Sequence, residues 1–176
     1  TGESAIKPEY IGDGTLVLEP TYKHIILLDL DEWGNSIVLD DGLFLACEST
    51  LKQKAVRRKT FSSAFAGGEG FFNLGLKGSG VVCIESDCSR EELVEITLED
   101  DVVKIDGNLA IAWSGSLDFT VERAGKSLLG SAASGEGLVN VYRGTGKVLL
   151  APVGNQAMKP QQVIEKEPVI VGDDDE

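Results

Sequence analysis

Residues 68–85 read GEGFFNLGLKGSGVVCIE, and this stretch recurs in two further copies along the chain. The upstream copy, residues 2–20, reads GESAIKPEYIGDGTLVLEP, and the downstream copy, residues 135–152, reads GEGLVNVYRGTGKVLLAP. Each copy predicts a strand, a glycine hairpin turn and a second strand. The Gly-x-Gly pairs begin at Gly12, Gly78 and Gly144, so their spacing is the same both times. We call this spacing the repeat period, and a fixed period is typical of an internally repeated fold.

The segments between the glycine pairs repeat as well. Residues 36–46, SIVLDDGLFLA, match residues 101–111, DVVKIDGNLAI. Each places Asp-Gly between two apolar runs, which predicts a hairpin because Gly adopts positive φ freely and Asp tolerates it. Apolar and polar residues alternate with period two in stretches such as 94–99 and 117–121, as in strands with one face in a core.

These patterns predict an all-β fold, either a double-stranded β-helix or a jelly-roll-like sandwich, with internal pseudo-repeats of about 66 residues. Residues 1–153 are expected to form this repeated all-β domain. Residues 154–176 lose the glycine rhythm and end on Asp-Asp-Asp-Glu. They are expected to form an acidic, flexible C-terminal tail.

The charge of the chain argues against nucleic acid as a partner. The formal net charge is −13, and a field of that sign repels phosphate backbones. The basic cluster that begins at Lys52 and ends at Lys59 is interpreted as a solvated strand end or loop. No apolar run is long enough to span a bilayer, so direct membrane insertion is not expected.

The three cysteines favour a reducing cytoplasm, because an odd number with no Cys-x-x-Cys motif gives no disulfide framework. Cys47 and Cys83 lie in strand-like runs and are expected to be buried. Cys88 lies in a predicted loop and is expected to be the exposed thiol.

The sequence contains no pattern typical of an active site. His24 is the single histidine, and neither a nucleophile nor an orienting carboxylate is signalled near it. One histidine and three scattered cysteines do not make a metal site. The Gly-x-Gly pairs precede β-runs, whereas a phosphate loop precedes a helix. We therefore expect no catalytic residue, no cofactor and no metal, and the chain is not predicted to be an enzyme.

Three residues remain as candidates for a ligand-binding or interface role. Glu69 and Glu136 recur at the same place in two copies of the repeat. They either do acid–base work or bind a cation, or they cap a turn or make the same inter-strand hydrogen bond in each copy, and the structural interpretation is favoured. Trp33, within Asp-Glu-Trp-Gly-Asn, is the candidate for a stacking surface. Trp113 shares the apolar phase of its strand and is expected in the core.

The combination of motifs resembles one known family. The motifs are GGEGFFNL at 67–74 with the Gly-Ser-Gly that follows it, IDGNLA at 105–110, SGEGLV at 134–139 and RGTGKV at 143–148. They resemble the altered-inheritance-of-mitochondria 24 family of bacterial, archaeal and fungal proteins, over residues 1–153. The resemblance implies a double-stranded β-helix of the tryptophan-attenuation-protein-like kind, with pseudo-repeats and a tendency to oligomerise.

The same resemblance implies that the chain is the C-terminal part of a longer protein, because members carry a further β segment upstream of the position of Thr1. It implies no catalytic residue, and the mitochondrial location of the fungal namesake is not carried over. Our leading hypothesis is therefore a non-catalytic scaffold that assembles with itself or with a protein partner, since open β-edges are usually covered. The alternative is a β module that binds a small ligand or carbohydrate.

Overall fold

The computed structural model describes residues 8–19, 22–57, 72–106, 109–123 and 138–152. Within these ranges the chain forms ten β-strands, one short 3-10 helix and no α-helix, which confirms the all-β prediction. The strands are β1 (His24–Asp29), β2 (Ser36–Leu39), β3 (Phe44–Cys47), β4 (Lys52–Arg57), β5 (Phe72–Lys77), β6 (Val81–Ser86), β7 (Val94–Asp106), β8 (Ala110–Ser114), β9 (Asp118–Arg123) and β10 (Leu138–Leu150).

The strands form two antiparallel sheets. The smaller sheet has the order β1-β6-β3. The larger sheet contains seven strands in the order β4-β5-β2-β8-β10-β7, with β9 also paired to β10. Strand β10 pairs with β7 along its whole length, while its other edge pairs first with β9 and then with β8.

The β7–β10 pair is sharply curled. Val139 lies opposite Asp106 and Leu150 lies opposite Ala110. Because Asp106 and Ala110 are close in sequence, Val139 and Leu150 lie within ~25 Å of each other. A straight strand would separate them by ~36 Å. The bend falls at Gly144 and Gly146, where the β7–β10 register shifts.

The predicted glycine hairpins are wrong. Gly78 and Gly80 connect β5 to β6, which lie in different sheets, and Gly144 and Gly146 lie inside β10. The six Gly-x-Gly glycines have φ between 116° and 158°, a region open essentially only to glycine. That conformation bends an extended chain without reversing it, so each pair turns a corner.

The predicted Asp-Gly hairpins are wrong as well. Gly42, with φ 77°, connects β2 to β3, and these two strands lie in different sheets. Strands β7 and β8 flank the second Asp-Gly and are separated by β10 in the larger sheet. Gly42 is a turn residue as predicted, Gly107 lies outside the described residues, and in both places the flanking strands pair with other partners.

Two apolar cores form, one on each face of the larger sheet. The first core lies between the two sheets and includes Ile37 and Leu39 of β2. The second lies inside the curl of β7 and β10 and includes Val38 of β2 and Trp113 of β8. Trp113 contacts Phe119 and Tyr142 at ring-centroid distances of 5.2 and 5.4 Å, so its predicted core position is confirmed. Because β2 separates the cores, its three apolar residues are all buried.

A 3-10 helix at Leu30–Trp33 was not predicted. The Asp29 carboxylate accepts a hydrogen bond from the Asp31 amide at 3.0 Å, which caps the turn. Gly34, with φ 69°, ends it. The helix buries Leu30 and Trp33 in the first core.

Candidate interaction surface

The structure brings the three candidate residues into no common site. Trp33 is only 2% exposed, and its ring packs in the first core with the Lys147 Nζ 5.7 Å from the ring centroid. A stacking role would require the indole to leave the core. Glu69 and Glu136 lie outside the described residues, as does the predicted tail, 154–176.

The remaining chemical candidates are dispersed. His24 is exposed at the start of β1, as expected of a surface histidine. The burial of the cysteines is the reverse of the prediction, because Cys88 is 3% exposed while Cys47 and Cys83 are partly exposed. The loop that carries Cys88 folds inward, and its amide donates to the Ser86 hydroxyl at 3.1 Å.

The partly buried thiols are poorly activated. Burial raises the pKa of Cys47, and the neighbouring Glu48 carboxylate raises it further, against a lowering hydrogen bond from Gln53. Burial and the Glu85 carboxylate raise the pKa of Cys83. Since the thiolate is the reactive species, neither residue is poised as a nucleophile.

The described residues offer neither a metal-binding cluster nor a membrane-spanning helix. No group of three or more His, Cys, Asp or Glu side chains in these ranges could hold a metal ion. No helix within the same ranges is long and apolar enough to cross a membrane.

The surface feature that stands out is a set of strand edges without a pairing partner among the described residues, which β1 and β3 provide in the smaller sheet and β4, β7 and β9 in the larger sheet. Strand β3 is the last strand of the smaller sheet, and its only partner among the described residues is β6. Strand β7 is the last strand of the larger sheet, and its only described partner is β10. Unpaired edges are templates for pairing with another strand.

A groove runs beside the open edge of β3. It measures about 830 Å³ and lies between β3 and the extended segment 8–19. Tyr10, Leu16 and Leu18 line it and are 65%, 56% and 41% exposed. Exposed apolar side chains concentrated at one place mark an interaction site.

A second groove measures about 400 Å³. Ser36 and Val38 of β2 form one wall, and Trp113 and Phe119 form the other. In this groove β2 pairs with the edge of β8. Val38 lies opposite Trp113, and one further residue pair on each side continues the pairing. Strand β8 therefore has a pairing partner on this edge, whereas the corresponding edge of β3 has none among the described residues.

The outer face beside the open edge of β7 is polar. Glu122 accepts a short hydrogen bond from Arg143 and a second from Lys104 at 3.4 Å. The Arg143 hydrogen bond, with help from Lys104, lowers the pKa of Glu122 below its ordinary value of 4.5 despite some opposing desolvation. Arg143 also donates to the Thr120 hydroxyl at 3.0 Å.

The fold and surface define an all-β protein that has several open strand edges and no metal-binding cluster among the described residues. The family model described as Mitochondrial biogenesis AIM24 matches residues 1–153. The chain belongs to this family, as the sequence motifs indicated.

Two streptococcal relatives are similar to the chain. An uncharacterised protein of Streptococcus pyogenes serotype M6 is 32% identical over 140 residues, which cover 79% of this chain and 54% of the relative. A crystal structure of a Streptococcus pyogenes protein matches with a TM-score of 0.57 and 29% identity, covering 76% of this chain and 56% of that chain. The chain therefore spans about half the length of these relatives.

The sequence did not predict the open edges of β3 and β7. Edges depend on which strands pair, and pairing between distant strands leaves no local pattern. One signal was present, since β3 and β8 occupy matching places in the sequence repeat but only β8 is flanked by a strand on both sides.

Proposed function

We propose that this protein is a non-catalytic scaffold that assembles with itself and is built from two consecutive copies of one β unit. In this account each unit is a jelly-roll-like double-stranded β-helix, formed by a long strand pair that bends at Gly-x-Gly. The first unit runs from β1 to β6 and the second from β7 to β10.

The pairing registers support the repeat. Cys47 lies opposite Val82, and one repeat period further along on both strands Trp113 lies opposite Val148. Lys52 lies opposite Lys77, and the same shift leads to Asp118 opposite Arg143.

The composition of the two cores supports it too. Several residues of the first core have a counterpart one repeat period later in the sequence. Each counterpart belongs to the second core or packs against it, so each core is the interior of one unit. The pairs are Ile37 and Val103, Leu39 and Ile105, Leu43 and Leu109, Leu51 and Leu117, Leu76 and Tyr142, Val82 and Val148, and Ile84 and Leu150.

One observation carries the proposal of self-assembly. The two units join where β2 of the first pairs with β8 of the second. The counterparts of these strands, β7 in the second unit and β3 in the first, keep the same edges open. Within the described part of the chain, each unit therefore offers one of the two kinds of edge that pair at the junction, and such complementary edges favour head-to-tail association.

Sedimentation velocity over a range of protein concentrations tests the proposal. Assembly predicts species that are multiples of 18.7 kDa and whose population grows with concentration. A single species of 18.7 kDa at every concentration would refute it.

A second candidate is a small-ligand or carbohydrate-binding module, and the groove of about 830 Å³ favours it. Both tryptophans, however, are buried, with 2% and 3% exposure. Tyr10 and Phe44 are the aromatic side chains that line this groove, and Tyr10 is the more exposed of the two, at 65%. A screen of sugars and small metabolites that shifts the melting temperature of the wild type but not of Tyr10→Ala would support this candidate.

We also place the chain in a reducing compartment such as the cytoplasm. Cys47 and Cys83 are partly exposed and carry free thiols, a state that oxidising compartments do not favour.

A further inference from the structure

We infer that the paired strands β4 and β5 carry a binding site for a small organic anion, with Lys77 at its centre. Lys52 lies directly opposite Lys77, and Lys54 lies opposite Gly75. Because residues two apart on a strand point to the same face, the three lysines share one face of the sheet. All three are exposed. The site is distinct from the groove beside β3 and does not depend on self-assembly.

The second unit shows what surrounds a cation at this place when its charge is balanced. Arg143 follows Lys77 by one repeat period. It lies opposite Asp118, donates to the Thr120 hydroxyl at 3.0 Å and forms an ion pair with Glu122. Strand β9 therefore carries three side chains with oxygen acceptors where it pairs with the strand of Arg143.

The first unit has none of these acceptors at the corresponding places. One repeat period earlier, β4 carries Lys52, Lys54 and Val56. Lys77 therefore has lysines where Arg143 has an aspartate and a threonine, and its ammonium makes no ion pair or hydrogen bond with another described residue. Like charges directly opposite each other destabilise a sheet. A ligand that brings its own oxygen acceptors would remove this repulsion.

The second groove provides space beside the lysines for the body of such a ligand. Lys54 and Lys77 line this groove of about 400 Å³, together with the apolar side chains of Val56 and Phe119. Small-molecule sites have volumes of ~300–1,000 Å³ and combine apolar walls with a few polar groups. Asp118 is the one carboxylate among the described residues that line the groove, so this lining carries a net positive charge.

The charge of the whole chain restricts the ligand to a small molecule. A net charge of −13 repels a polyanion such as nucleic acid, whereas a small anion meets mainly the lysines beside it. Ammonium groups bind carboxylate and phosphate oxygens through charge-assisted hydrogen bonds. The ligand class is therefore a small carboxylate or organic phosphate with an aromatic or aliphatic body, which packs against Phe119.

A titration followed by NMR tests the site. Phenyl phosphate is the probe, because it joins a phosphate group to an aromatic ring, and inorganic phosphate is the comparison. We expect phenyl phosphate to cause saturable shifts in the signals of Lys54, Gly75 and Lys77. Inorganic phosphate lacks the apolar body and should bind more weakly by about tenfold or more.

Variants separate this site from a general attraction to positive charge. Lys77→Gln should weaken phenyl phosphate binding by about tenfold or more, whereas Lys104→Gln, which removes the same charge from β7, should leave it unchanged. Lys52→Asp restores the carboxylate that the second unit has at Asp118. It should raise the melting temperature of the free protein, because an opposite-charge pair replaces a like-charge pair, and it should abolish binding.

Three results would overturn the inference. Shifts that grow linearly without saturation would show that the probe meets only scattered charge. Binding that persists in both Lys77→Gln and Lys52→Asp would place it elsewhere on the molecule. If removal of residues 173–176 shifts the Lys77 signals and phenyl phosphate does not, the occupant is the acidic end of the chain rather than a small molecule.

Discussion

Val38 and Trp113 lie directly opposite each other on β2 and β8, and this pair lies at the junction between the two halves of the chain. Val38 comes from a strand whose other apolar residues face the first core, yet its own side chain lies in the second. The second core is thus completed by a residue of the first half. The pairing of β2 with β8 is the model for the strand pairing that we propose between copies of the chain.

Replacement of Trp33 should behave as the loss of a core residue. Trp33→Ala is expected to lower the free energy of unfolding by about 3–5 kcal/mol, because a large buried side chain is removed. Chemical denaturation measures the change. Tyr22→Ala is the control, since Tyr22 is fully exposed and its loss should change stability by less than ~0.5 kcal/mol. Equal effects for the two variants would show that Trp33 is not packed as described.

The bend in β10 should depend on glycine at position 146. Gly146 has φ 158°, and a Cβ there would lie 2.7 Å from the Ser114 Cβ. Gly146→Ala is expected to lower the free energy of unfolding by about 3 kcal/mol, through backbone strain and a steric clash. Gly12→Ala is the matched control, since Gly12 has φ 148° but nothing within 4 Å of the added Cβ. A loss for Gly12→Ala as large as that for Gly146→Ala would show that the contact with Ser114 does not matter.

Glu122 should titrate below its ordinary pKa of 4.5 in the folded protein, chiefly because Arg143 donates a hydrogen bond to it. A lowered carboxyl pKa stabilises the fold above the unfolded pKa, and this contribution is lost as pH falls through the folded pKa. Carboxyl-carbon NMR of Glu122 measures the titration. Arg143→Gln should move the pKa back towards 4.5, and Lys104→Gln should move it by less. An unchanged pKa in Arg143→Gln would rule out the ion pair as its cause.

The cysteines should differ in alkylation rate in the folded protein. Cys47 and Cys83 are expected to react slowly at neutral pH because burial raises their pKa values. Cys88 should react more slowly still, since it is 3% exposed. Timed alkylation with peptide mass spectrometry gives the three rates, and unfolded protein gives the reference. A fast reaction at Cys88 would show that this thiol is exposed, as the sequence predicts, and would contradict its buried position in the structure.

Local patterns predicted the class of fold but not its connections. Alternation along β7 and the run around Trp113 identified strands and core because both reflect which side of a strand faces water. The Gly-x-Gly pairs were recognised as breaks but interpreted as hairpins, although Gly78 and Gly80 join strands of different sheets. Glycine favours positive φ in either case, so the residue type alone does not separate a chain reversal from a corner.

The surface was less predictable than the core for the same reason. Trp33 resembled an exposed aromatic because polar residues flank it, but the 3-10 helix that Asp29 and Gly34 cap turns the indole inward. The open edge of β3 depends on the absence of a neighbour rather than on any residue it carries. Only a comparison of β3 with β8, its counterpart in the repeat, identifies it.

The central claim is that copies of this chain assemble through the edge of β3, and Ala46 lies at the middle of that edge. Its counterpart, Ala112, is fully buried at the junction within the chain, so Ala46→Glu should block pairing. Ala55→Glu, on the exposed edge strand β4, should not. Circular dichroism and thermal melting establish that both variants are folded.

The most direct measurement is the solution mass by size-exclusion chromatography with light scattering, for the wild type and these two variants. We expect multiples of 18.7 kDa for the wild type and Ala55→Glu, and 18.7 kDa for Ala46→Glu. A mass of 18.7 kDa for all three proteins, or an undiminished oligomer in Ala46→Glu, would contradict it.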